Sequence, residues 1–184
     1  MPPSRDPIVA LTSIVNSLQT IVSRNVDPQA VVVLSVTHIS AGNTWNVLPE
    51  TASFEGTVRS FSKAGRRVAK QRFMEIVKAG AATFDVTAEI EWIKGPDVVN
   101  NDAQLTPLVA AETAQFARVV RPVPSTTGED FAFFSQRIPS VVAFVGSHGT
   151  SDWHHPDLQL DDQALPTGIK FFYYNALNLL AKLR

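Results

Sequence analysis

The first stretch of the chain repeats its apolar positions at three- and four-residue steps. In "DPIVALTSIVNSLQTIVSRNVDP" these are Ile8, Leu11, Ile14, Val15, Leu18, Ile21 and Val22, the stripe of one amphipathic helix. Asp6 is placed to cap that helix with Pro7 at its first position, and "NVDP" ends it. The period then changes to two. "AVVVLSVTHIS" and "TASFEGTVRSF" predict strands joined by the turn-rich "AGNTWNVLPE". A second helix is predicted over "GRRVAKQRFMEIVKAGAATF", with Ala69, Phe73, Ile76 and Val77 on one side. "VTAEIEWIKG" predicts a third strand, with Val86, Ala88, Ile90 and Trp92 facing one way.

Helix, strand, strand, helix, strand is the order of an open-faced α/β sandwich, a βαββαβ unit without its first strand. Periodicity lapses in "GPDVVNND", residues 95–102, so a boundary is placed there. Beyond it, "AQLTPLVAAETAQFARVV" predicts a helix and "TTGEDFAFFSQRIP" a loop entering a short helix. "SVVAFVGSHG" reads as a strand buried on both faces, and "DQALPTGIKFFYYNALNLLAKLR" as a closing helix.

Composition narrows the function classes. Hydrophobic residues make up 45% of the 184 and charged residues 18%, which suits a globular chain able to bury a core. Sixteen basic residues against seventeen acidic leave a net charge of −1. No basic patch points to nucleic acid and no cationic stripe to a membrane surface. The absence of cysteine excludes disulfides, thiolate metal sites and cysteine nucleophiles. "MPPSRDPIVAL" lacks a signal-like apolar core and no window approaches a membrane span, so a cytoplasmic location is the default expectation.

The chemistry-bearing residues cluster late. "SDWHHPDLQLDDQALPTG" sets His154 and His155 before Pro156, which holds the loop away from helix. Neutral imidazole suits zinc or manganese, and an adjacent pair usually turns one ring toward a given ion. His38, at an alternating strand position, reads first as a structural histidine. His148, in "GSHG", reads equally as a ligand contact or a solvated loop residue. In "TGEDF", Glu129 and Asp130 either do acid–base work or cap the helix starting at Phe131, and capping is preferred. Asp157, Asp161 and Asp162 read as loop and cap residues ahead of metal ligands. Asn43, Trp45 and Asn46 sit in the strand connection, where exposed amides and an indole bind a ligand or simply make turns. Arg59 is placed to pair with a carboxylate, the protein's or a substrate's. There is no phosphate loop, serine elbow or HExxH.

Four ordered motifs resemble one family: "DPIVAL…LQTIVSRNVDP", "SVTHISAGNTWNVLPETASFEGTVRSF", "TGEDFAFF…IPSVVAFVGS" and "WHHPDLQLDDQALPTG". They are similar to the N-acyl-amino-acid amidohydrolases, the metallopeptidase group that includes hippurate hydrolase and the hydrolases of auxin–amino acid conjugates. The resemblance implies a ferredoxin-like βαββαβ lid lacking its first strand over residues 1–96. Residues 97–184 would be the C-terminal segment of a mixed-sheet catalytic domain that carries two divalent metal ions, zinc or manganese. It implies His154 as a metal ligand with His155 its neighbour, Asn46 reaching over the substrate, and Gly128 and Glu129 beside the substrate pocket. A small N-acyl amino acid as substrate and a homodimer formed through the lid are implied as well.

In that family most metal ligands and the general-base glutamate precede the lid, and no counterpart of that segment occurs in this sequence. The expectation is therefore part of a metal-dependent amidohydrolase, inactive alone. The other reading is a non-catalytic dimerisation module derived from the lid, which the unpaired strand edges of such a lid disfavour.

Overall fold

A computed structural model describes residues 5–121 and 123–182. It divides into two compact units. One runs to Val98 and takes in Thr126–Gly128, and the other comprises Val99–Ser125 and the chain from Glu129 onward.

In unit 1, α1 (Pro7–Leu18) starts as its sequence predicts: Asp6 is extended and its carboxylate accepts hydrogen bonds from the N–H groups of Ile8 and Val9. That satisfies two of the orphan donors of the first turn. The helix passes into a π-helical turn, Ile21–Asn25. The wider turn carries one residue more than an α turn, and it buries Ile21 while leaving Val22 exposed. Strands β1 (Val32–Ala41) and β2 (Ala52–Ser60) pair antiparallel, with a bulge between Val36 and His38. At Gly56 any side chain would run into the Ser35 carbonyl, 2.3 Å from a built Cβ, so glycine is what allows β2 to close on β1 there.

Helix α2 (Lys63–Thr83) begins at Ser62, whose hydroxyl accepts from the Gly65 N–H. It crosses α1 closely at Gly80, where a Cβ would lie 2.5 Å from Ile14 Cγ1. Ile14, Leu18, Ile21, Val26, Val32, Ala69 and Val77 form the core of the unit, with Phe54, Val58, Phe73 and Ile76 packed against it.

Residues 86–94 depart from the sequence reading. Val86, Ala88, Ile90 and Trp92 are half-buried and Thr87, Glu89, Glu91 and Ile93 are exposed, which is the alternation the sequence shows. Ala88 and Ile90 pack on the same core as the sheet. Yet no ladder forms here: among the described residues the sheet has two strands, β1 and β2. The expected third strand keeps the predicted alternation but joins no ladder among the described residues. The architecture is thus mixed α/β with a small antiparallel sheet.

In unit 2, α3 (Leu105–Thr113) ends well before the predicted Val120, α4 is the short Ala132–Ser135, and α5 spans Ala164–Lys182. Helices α3 and α5 pack together, joined by Asn175 Nδ2, which donates to Thr113 Oγ1 at 3.1 Å and to the Phe171 carbonyl at 2.8 Å. The predicted buried strand at 140–149 is neither strand nor buried: Ala143, Phe144, Val145 and Gly146 are exposed. Apolar runs bury on both faces only when a sheet and covering layers surround them, and unit 2 has no sheet among the described residues. Asn101 takes the place of one strand neighbour, its amide donating to the Val142 carbonyl and accepting from the Val142 N–H, both at 2.8 Å.

Candidate functional site

In unit 2, His154 sits at the tip of a closed loop. Thr150 and Gln159 pin its stem: the Thr150 N–H donates to the Gln159 carbonyl, and the Gln159 N–H donates to Thr150 Oγ1. The Asp161 N–H adds a bond to the Ser147 carbonyl. Trp153 packs on Phe144 with ring centroids 5.8 Å apart. The tip is two successive turns, His155 N–H to the Asp152 carbonyl and Leu158 N–H to the His155 carbonyl, the second with Pro156 at its rigid position. His154 is the third residue of the first turn and has φ +67°. That region favours glycine or asparagine, and histidine occupies it more readily than bulky residues do. The imidazole is exposed.

The neighbouring His155 is engaged locally: its Nδ1 accepts from the Asp157 N–H at 3.2 Å and lies 3.7 Å from the Asp157 carboxylate. His148 also has a positive φ, +47°, and is exposed. Glu129 Oε1 accepts from the Phe131 N–H at 3.2 Å just ahead of α4, whose N-cap is Phe131 with no side-chain cap. Asp161 Oδ1 likewise accepts from Gln163 N–H before α5. No three His, Asp or Glu side chains come together in a metal-holding group among the described residues. One imidazole at a loop tip does not meet the several ligands per ion that a hydrolytic metal centre needs, so these residues do not by themselves fit the implied metal pair.

In unit 1, the connection between β1 and β2 presents Trp45, which is 94% exposed. Beside it, Thr44 Oγ1 donates to Asn46 Oδ1 at 3.0 Å, leaving the Asn46 amide N–H groups facing outward in an exposed loop. Gly128 lies against the Arg59 guanidinium of β2, whose nearest atom would be 3.7 Å from a Cβ at that glycine. Arg59 makes no ion pair among the described residues. His38, predicted structural, is instead exposed on β1 and pairs across the ladder with Glu55 at 3.5 Å. The bulge at Val36/His38 shifts the face of the strand here, which strict alternation cannot anticipate. One carboxyl is held below its ordinary range, Glu75 on α2, by hydrogen bonds from Gln71 and from Arg72. This is an exposed helix-surface pair, not a buried general base.

The sequence reading passed over Asn101 and Asn175, which organise the backbone of unit 2. A signal existed for the second: "YYNALNLL" puts an amide within an apolar helix, where burial demands a partner.

The model of Peptidase family M20/M25/M40 matches residues 8–178. The chain is 43% identical over 177 residues to an N-acetyl-L-cysteine deacetylase of Bacillus subtilis (strain 168), covering 95% of this chain and 42% of that protein. It is 34% identical over 181 residues to an N-acetyldiaminopimelate deacetylase of Leuconostoc citreum, covering 95% and 44%. Among solved structures it resembles the Bacillus subtilis YXEP protein, described as a dinuclear metal binding peptidase from the M20 family. The TM-score is 0.81 at 32% identity, over 97% of this chain and 47% of that one. The chain spans about half the length of the relatives it matches.

Proposed function

Because the chain belongs to peptidase family M20/M25/M40, we propose that it forms part of a metal-dependent amide hydrolase acting on small N-acyl amino acids. The observation that carries this reading is His154, an exposed imidazole held with positive φ at the tip of a pinned loop. Backbone held in an uncommon region points toward function rather than packing. His154 would supply one ligand to a divalent ion, zinc or manganese, which when bound would supply Lewis-acid chemistry toward an amide and water. Asn46 offers its outward amide to the substrate's acyl group. Gly128, having no side chain, leaves the Arg59 guanidinium open to a carboxylate, the group that an N-acyl amino acid presents and that arginine grips bidentately. Glu129, the next residue along the chain, accepts from the Phe131 N–H ahead of α4 and is assigned to substrate binding as part of the same proposal.

As part of the same proposal, the chain by itself does not turn over amides; among the described residues no ligand trio assembles. A homodimer through unit 1 is part of the same proposal, with the outer edge of β1 unpaired among the described residues. No helix is long and apolar enough to cross a membrane among the described residues.

The test is metal stoichiometry by elemental analysis after dialysis against trace zinc and manganese, with hydrolysis of N-acetyl amino acids assayed beside it. Expected is weak or substoichiometric metal that His154→Ala removes, with no turnover. Tight binding that survives His154→Ala overturns the ligand assignment. A metal-free, cooperative dimer indifferent to the variant would favour a dimerisation module instead.

A further inference from the structure

Helix α2 carries its exposed cations in a line. Lys63, Arg67, Lys70 and Lys78 all face water, and helical pitch places them within about 80° of the circumference along about 22 Å of axis. Half-buried Met74 falls in the same line, between Lys70 and Lys78. The spacing sets like charges side by side, Lys63 with Arg67 and Arg67 with Lys70. Such pairs at three- and four-residue steps destabilise a helix. Little within the fold relieves them. The only acid of α2, Glu75, borders the line and is engaged by Gln71 and Arg72. Asp97 takes up Arg66 and, at 3.7 Å, Lys63. Arg67, Lys70 and Lys78 form no ion pair among the described residues. Lys70 lies over the Trp92 ring, 5.4 Å from its centroid.

We propose that this ridge docks an acidic amphipathic helix of a partner protein. The partner lies alongside α2, with carboxylates at three- and four-residue steps and one apolar residue against Met74. Helices packed at about 8–10 Å bring one line of side chains from each into reach, and charges along such a seam set partner choice. The ridge is one residue wide, with the Glu75 carboxylate along its side. A nucleic-acid duplex or an anionic lipid surface is broad and would press phosphates against that carboxylate. A single helix fits beside it. A second copy of the chain has no acidic helix to offer. Among the described residues α2 carries one acid, Glu75, α3 carries one, Glu112, and α1, α4 and α5 carry none.

The probe is a helical peptide of glutamate and alanine with one central leucine, added to the full chain and followed by NMR. Saturable shifts are expected at the Met74 methyl and the α2 amides, fading as added salt shortens the screening length. Exposed ion pairs are each worth little, but several together should make a glutamine-for-glutamate peptide bind about tenfold more weakly. The Arg67→Glu, Lys78→Glu double variant changes only exposed, unpaired side chains. It should lose the glutamate peptide and take up its lysine counterpart, which also shows that α2 is still folded. The same charge change at exposed Arg24 and Lys94 should leave binding as it was. Several outcomes overturn the proposal: no saturable shift by about 1 mM peptide, undiminished binding by the ridge variant, or equal loss in the Arg24 and Lys94 variant. A short DNA duplex or an anionic vesicle that shifts the same signals at lower concentration than the peptide would assign the ridge to a phosphate surface instead.

Discussion

Unit 1 and unit 2 are similar in size and in apolar content, yet they use that content differently. In unit 1 two helices close over a sheet, so Leu18 and Ile21 are wholly removed from water. In unit 2 the longest helix carries Leu165, Ile169, Phe172, Leu177 and Leu180 on its surface, Phe172 being 75% exposed, with Tyr173 and Tyr174 beside them. Spacings of three and four residues normally mark the face a helix buries. The same pattern therefore has two outcomes, decided by whether another layer lies opposite. Periodicity announces a face that seeks cover; only the rest of the fold says whether cover is present.

The comparison can be put under strain at three places. The largest effect is expected at Leu18→Ala, which removes fully buried methyls from the centre of unit 1. It should cost about 2–5 kcal/mol, read from chemical denaturation of the α1 and α2 signals. A loss below about 1 kcal/mol would mean that unit 1 is no better packed than unit 2. Next comes Asp6→Ala, which returns the Ile8 and Val9 N–H groups to solvent at the start of α1 and should cost about 1 kcal/mol. Its early exchange at residues 8 and 9 would distinguish loss of the cap from a general loosening. Smallest is Phe172→Ser in unit 2. Although a larger apolar group is removed than at Leu18, stability should change by no more than about 0.5 kcal/mol, while light scattering at high protein concentration falls. A cost comparable to that of Leu18→Ala would show that the α5 stripe is covered in solution.

The elements that were legible from sequence are those decided locally. The Asp6–Pro7 start of α1 and the two strands around "AGNTWNVLPE" each depend on contacts within a few residues. The alternation over 86–93 was legible too, as a buried face, but the hydrogen-bond partner was not, because side-chain period carries no information about what lies along the backbone edge. The run at 140–149 was misread for a related reason: uninterrupted apolar sequence describes a strand inside a sheet, and the sheet is what unit 2 lacks among the described residues. At the site, the local bonds of Glu129 and Asp161, each to the N–H two residues on, follow from their position before helices. The positive φ of His154 was not visible, since a histidine before a histidine–proline pair is compatible with several turns, and the Arg59–Gly128 approach joins residues far apart in sequence.

The π-helical turn at Ile21–Asn25 bears on how this chain tolerates changes in length. An ordinary helix that loses one residue rotates everything beyond the deletion by about 100°, carrying its apolar stripe off the core. Here one surplus residue is already held in a widened turn, after the last buried position of α1 and before Val26 resumes the core. Loss of a single codon among Val22, Ser23 and Arg24 would relax that turn to the ordinary pitch while Leu18 and Val32 keep their places. Within an otherwise length-intolerant helix, that turn is a slack link, where the reading frame of the fold can change by one without changing what the fold buries.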